Sequence, residues 1–208
     1  EEGLGVNHFN CPVVAYYPQV LKLNMPGLHG KTPFLCDFLS LADEKQLEKR
    51  MRAVLKAHFP EIGRKTLHEA VAAAYAEQET YRQTVRDLAA EYLCEAEREN
   101  KPVIVLAGRP YHVDPEINHG IDKLLTSLGA AVITEDSISD RIQPFETQVR
   151  NQWTYHARLY AAAKYIAQSK KKLFLVQLVS FGCGVDAITT DEVRSILEAA
   201  DSPYTQIK

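Results

Sequence analysis

The stretch "LVSFGCGVDAITTDE", residues 178 to 192, sets a lone cysteine between Gly182 and Gly184 at the end of an apolar run. Glycine on both sides removes side chains, so another group can approach Cys183 closely. A sulfur just ahead of a helix sits at its positive end, where the dipole and free N–H groups favour a thiolate. Two roles stay open for Cys183: a small residue packed into a tight turn, or a chemically active thiol. A second stretch, "AGRPYHVDPEINHG", residues 107 to 120, is equally loaded. It holds Arg109, Tyr111, His112, Asn118, His119 and the carboxylates Asp114 and Glu116, stiffened by Pro110 and Pro115. Arg109 can fork onto a phosphate or carboxylate, or pair with Asp114 or Glu116 as plain structure. His112 and His119 are separated by Pro115, so they share no helical metal face; each reads more simply as a hydrogen-bonded loop residue. Neither stretch is GxGxxG, GxxxxGK[ST] or a nucleophile elbow, which removes the common dinucleotide, P-loop and hydrolase readings.

Both stretches must be held by what precedes them. "VIVLAG", "AAVIT" and "KLFLVQLVS" are continuous apolar runs, expected as strands near 103–107, 132–134 and 173–179. Between and after them lie helical patterns: "INHGIDKLLTSLG" closed by Gly129, "FETQVRNQWTYHARLYAAAKYIAQS", and "TTDEVRSILEAA" with Thr189 or Thr190 as N-cap. Alternation of this kind predicts an α/β fold, a Rossmann-like or flavodoxin-like parallel sheet with helices on both faces. Ligands in such sheets sit outside the carboxyl ends of the strands, where both loaded loops emerge. On the helix before the third strand, Trp153, His156 and Tyr160 share one face, read as packing and outside the site.

The N-terminal half reads as mostly helical. "CPVVAYYP" is a short buried-strand candidate ended by Pro18, and "KTPFLCDFLSL" an edge or extended segment limited by Pro33. "LADEKQLEKRMRAVLKAHF" is a helix, followed from about Thr66 to Glu99 by one long helix whose stripe runs through Leu67, Val71, Ala74, Tyr81, Val85, Leu88 and Tyr92. At about 1.5 Å per residue that helix is a rod of about 50 Å. The division expected is a partial lobe over residues 1–100 and a Rossmann-like lobe over 101–208.

Composition narrows the rest. The chain has 208 residues and 46% hydrophobic content, enough for a buried core. Its net charge is −3 with interspersed signs, so no basic stripe points to nucleic acid or to an anionic membrane surface. No run approaches the ~18 apolar residues of a spanning helix. Four scattered cysteines without CxxC favour a reduced, cytoplasmic setting over a disulfide framework. The start without methionine and the finish inside "YTQIK" read as a segment of a longer protein.

Four stretches together, "NCPVVAYYP", "VLAGRPYHVDPEINHGI", "NQWTYHARLYAAA" and "LVSFGCGVDAITTDEV", resemble the conserved region of large proteins related to activators of 2-hydroxyacyl-CoA dehydratases. The resemblance runs from about Asn10 to Lys208. It implies a dehydratase-subunit-like segment, part of an iron–sulfur electron-transfer or redox system driven by an ATPase portion elsewhere in the same polypeptide. It further implies an iron–sulfur cluster (4Fe–4S) in the full-length protein, with Cys11 and Cys183 as candidate metal ligands and Cys36 and Cys94 outside that role. Arg109, Tyr111, His112, Asn118 and His119 are the candidate cofactor-binding residues, and an acyl-CoA or a redox protein the further partner. ATPase motifs are absent from this sequence, so the isolated segment is expected neither to hydrolyse ATP nor to carry a cluster when purified in air. Two other classes stay open: a cluster-free acyl-CoA or anion-binding module, and an assembly domain, homo-oligomeric or not, docking through the long helix.

Overall fold

A computed structural model describes Gly5, residues 9–29 and residues 33–208. Contacts divide the chain into two units, Asn10–Arg82 and, with the segment through Phe9, Gln83–Lys208.

In the first unit, α1 (Pro12–Asn24) occupies the stretch expected as a strand. Valines and tyrosines made "VVAYY" look extended, but Pro12 is preset for the first helical position and the Ala15 amide bonds the Cys11 carbonyl at 3.1 Å. Residues 33–41 form no strand, and Lys31 and Thr32 of that expected segment lie outside the described residues. Next comes α2 (Glu44–His58), whose N-cap Asp43 accepts from the Gln46 amide at 2.8 Å. The long helix is α3 (Arg64–Arg98), within two residues of the predicted bounds; from Gln83 on it belongs to the second unit.

The second unit is built on four parallel strands: β1 (Val103–Ala107), β2 (Ala131–Thr134), β3 (Leu173–Leu178) and β4 (Tyr204–Ile207). Their order is β2-β1-β3-β4. Strand residues alternate between two cores, because successive side chains point to opposite faces. Val103, Val105, Leu173 and Leu175 join Ala89, Leu93 and Ala96 of α3 and residues of α6 (Thr154–Gln168) and α7 (Gly184–Glu198). Leu106, Val176 and Leu178 face the other way, with Ile121 and Leu125 of α5 (Ile121–Ser127) against them. Helices therefore cover both faces, as the apolar strands predicted. A short α4 (Pro115–Asn118) precedes α5.

Two helix boundaries differ from the sequence reading. Residues 145–153 are not helical: the Gln148 amide donates to Glu192 Oε1 at 3.0 Å and Thr147 Oγ1 to the Val149 carbonyl at 2.6 Å, which holds this segment off the helix axis until Thr154. And α7 starts at Gly184 with Cys183 as N-cap, six or seven residues ahead of the expected cap at Thr189 or Thr190. Thr189 and Thr190 instead sit inside it, bonding back to the carbonyls of Val185 (2.8 Å) and Ala187 (2.9 Å).

From β1 the chain moves to β2 on one side, while β3 lies on β1's other side, so the winding direction reverses between β1 and β3. The crevice at the carboxyl ends of these two strands is the switch point of the sheet. Residues 108–120 and 180–186 emerge there. Among the described residues, no helix is long and apolar enough to cross a membrane.

Candidate functional site

Gly108 ends β1 because little room exists for a side chain: a Cβ would collide with His112 Nδ1 and lie 3.0 Å from the Leu178 carbonyl of β3. Right after it the chain folds into a tight turn over Pro110–Val113. His112 closes that turn from both ends. Its amide donates to the Arg109 carbonyl at 2.9 Å, and its Nδ1 accepts from the Arg109 amide at 2.9 Å. An N–H donor can only meet a bare ring nitrogen, so the His112 proton belongs on Nε2. Burial lowers the His112 pKa, Asp186 opposes the shift and Arg109 adds to it. His112 is thus a neutral brace for Arg109.

Held this way, the Arg109 side chain crosses to the cysteine loop. Its Nε and Nη2 donate to Asp186 Oδ1 at 3.2 and 2.9 Å, and Nη2 also reaches Cys183 Sγ at 3.1 Å. Asp186 Oδ2 accepts the Ser180 amide at 2.9 Å. Both charged side chains are buried, at 8% and 4% exposure for Arg109 and Asp186. Burial pushes the Asp186 carboxyl up, but His156, the Ser180 amide and Arg109 together outweigh it and hold it down at about 2. Burial likewise opposes the Arg109 charge, and Asp186 overcomes it, so the guanidinium is held above its ordinary value. The arrangement leaves a fixed cation in hydrogen-bond contact with a sulfur at a helix N-terminus.

The loops are joined a second time by Tyr111, whose hydroxyl lies 2.6 Å from Ser180 Oγ and whose ring meets His112 edge-on. Beyond Cys183 a cleft of about 530 Å³ opens, lined by Phe181, Cys183, Thr190, Arg194, Gln206 and Lys208 among others.

A sequence profile described as the CoA enzyme activase uncharacterised domain matches residues 1–138. The chain belongs to that family. No curated protein and no solved structure matches it. The matched stretch includes Cys11, β1 and the whole Arg109–His119 loop, and it ends before the cysteine loop on which Arg109 closes.

The residues singled out from sequence divide cleanly. Arg109, Tyr111, His112 and Cys183 meet at one place. Asn118 supports them: 2% exposed, it donates to the His112 carbonyl at 3.3 Å and accepts from the Asp122 amide at 3.2 Å, pinning the loop to α5. His119 is exposed, in the left-handed conformation (φ 54°) that lets the chain turn into Gly120. Asp114, a sequence-level partner for Arg109, instead caps α4 by accepting the Glu116 amide at 2.9 Å. Cys11 is the N-cap of α1 in the other unit. Among the described residues, no group of three or more His, Cys, Asp or Glu side chains is placed to hold a metal ion. The donors around Cys183 therefore do not make up a cluster site by themselves.

Two members of the site escaped the sequence reading. Asp186 was visible as an acidic residue three positions after Cys183, but nothing local ties it to an arginine 77 residues earlier. His156, on the helix read as packing alone, places Nε2 3.6 Å from Asp186 Oδ1.

Proposed function

We propose that this chain is the dehydratase-subunit-like segment of a CoA enzyme activase-related protein, in which Cys183 is the working thiol of a redox or iron–sulfur electron-transfer system driven by an ATPase portion elsewhere in the same polypeptide. The observation that carries the reading is the Arg109 Nη2 contact with Cys183 Sγ at 3.1 Å, fixed by the buried Asp186. A cysteine serving only as filler in a turn has no use for a buried guanidinium against its sulfur. Because the described residues supply no ligand set for a cluster, any iron centre working with Cys183 would draw its ligands from beyond this group.

The competing reading is a cluster-free module that binds acyl-CoA or another anion at the two loops. It is the weaker one, because the Arg109 guanidinium that would clamp the anion is already committed to Asp186 and Cys183.

Competitive alkylation tests the choice. At pH 7 and limiting iodoacetamide, peptide-resolved mass spectrometry should find Cys183 modified several-fold faster than the exposed Cys94, since Arg109 holds the Cys183 sulfur in a fixed, charge-assisted contact. Equal or slower modification of Cys183 would overturn the reading. In the intact polypeptide purified without oxygen, Cys183→Ser should abolish redox turnover.

A further inference from the structure

His156 is the third residue of α6, 3% exposed, and neither of its ring nitrogens has a hydrogen-bond partner among the described residues. Buried polar side chains in folded proteins are nearly always paired, so an orphaned imidazole calls for an explanation. Its Nε2 stands 3.6 Å from Asp186 Oδ1, just beyond hydrogen-bond range. The Asp186 carboxylate offers about four acceptor directions. Arg109 Nε and Nη2 and the Ser180 amide take three of them. Both Arg109 bonds fall on Oδ1, the oxygen that His156 Nε2 faces, and the amide's falls on Oδ2.

We propose that His156 is a positioning residue for Cys183, donating to Asp186 and so holding Arg109 against the sulfur. This rests on the reading of Cys183 as the working thiol. The relay runs His156 to Asp186 to Arg109 to Cys183 and draws on three elements: α6, the loop after β1, and the turn into α7. A closure of about 0.5 Å makes the first link an ordinary hydrogen bond. Oδ1 already carries both Arg109 bonds, so a third donor on that oxygen fixes the carboxylate's rotation and with it the guanidinium plane. Without His156 the carboxylate keeps only partners that move with it. The loop after β1 and the turn into α7 can then shift together, and Nη2 loses its station on Sγ.

Three forms of the chain test this by the rate of Cys183 alkylation at pH 7, with Cys94 as internal reference. His156→Phe keeps ring bulk and removes the donor; it should slow Cys183 about tenfold, the scale of one charge-assisted hydrogen bond. His156→Gln restores an N–H at similar reach and should recover most of the rate. A His156→Phe protein that reacts within twofold of wild type overturns the inference. So does equal slowing in both variants with a lowered urea midpoint, which marks a packing role. If wild-type Cys183 is no faster than Cys94, the proposed function fails first and the inference with it. If wild type is fast and His156→Phe equally fast, the inference alone fails.

Discussion

Replacing Asp186 with asparagine removes one charge and leaves the shape. Arg109 then stays buried without its anionic partner, and the new amide must turn an N–H toward either Arg109 or the Ser180 amide, both of which are donors. The magnitude follows from the carboxyl itself. Its pKa falls from 3.8 to about 2 on folding, a shift that supplies about 2 kcal/mol at neutral pH. Leaving a buried partner charge uncompensated brings the cost toward the ~3 kcal/mol typical of a broken buried pair. The chain's single tryptophan, Trp153, is the N-cap of α6 in the same unit, so its fluorescence reports unfolding there. In urea at pH 7 the midpoint should fall by about 1 M, given a slope of about 3 kcal/mol/M. The pH dependence has a definite sign. A carboxyl whose folded pKa is depressed stabilises the fold above its unfolded pKa and loses that contribution as pH drops through the folded one. The gap between wild type and Asp186→Asn should therefore stay constant above pH 5 and close between about pH 4 and pH 2. A midpoint change too small to measure at pH 7, or a gap that persists at pH 2, would refute the reasoning.

Gly108→Ala should cost about 1–3 kcal/mol by overpacking, because the new methyl drives His112 off the Arg109 amide; urea unfolding checks the cost, and Cys183 alkylation should slow with it. Glu135, buried against Arg158 at 2.8 Å just past β2, behaves oppositely to Asp186. Burial pushes its carboxyl up to about 7 despite Arg158, so the folded form holds its proton longer than the unfolded one. Stability should fall as pH rises from about 4.5 to 7, and Glu135→Gln should remove about 3 kcal/mol of that slope in urea titrations at the two pH values. A slope unchanged in the variant would mean that Arg158 fully compensates the buried charge.

The strands and the long helix were legible because their signals are local and repeated. Apolar runs bounded by Pro102, Gly108 and Gly129 placed β1 and β2, and a stripe sustained over some thirty residues placed α3. The α1 segment misled because its valines and tyrosines favour strands, while a strand also needs a neighbour to pair with; a helix satisfies its backbone alone. The start of α7 was misjudged because Thr189 and Thr190 look like caps, yet inside a helix their hydroxyls return to carbonyls one turn back. The two loaded loops were found from residue type and from their place after buried strands. Their wiring was not. Arg109 and Asp186 are joined only because β1 and β3 are neighbours in the sheet, a non-local fact that no spacing encodes. The role of His156 is hidden for a similar reason: in sequence it is one of three residues on a packing face, and only the packing of α6 beside α7 turns it toward a carboxylate.

The central claim is that a buried guanidinium holds the Cys183 sulfur ready for chemistry, and Arg109→Leu tests it most directly. The measurement is the ratio of Cys183 to Cys94 alkylation rates at pH 7, wild type against variant, with Trp153 fluorescence confirming that both are folded. Loss of the cation beside the sulfur should bring the ratio down about tenfold, so that Cys183 no longer outpaces the exposed reference thiol. An unchanged ratio in a folded Arg109→Leu protein would contradict the account and return Cys183 to the role of a small residue at a tight turn.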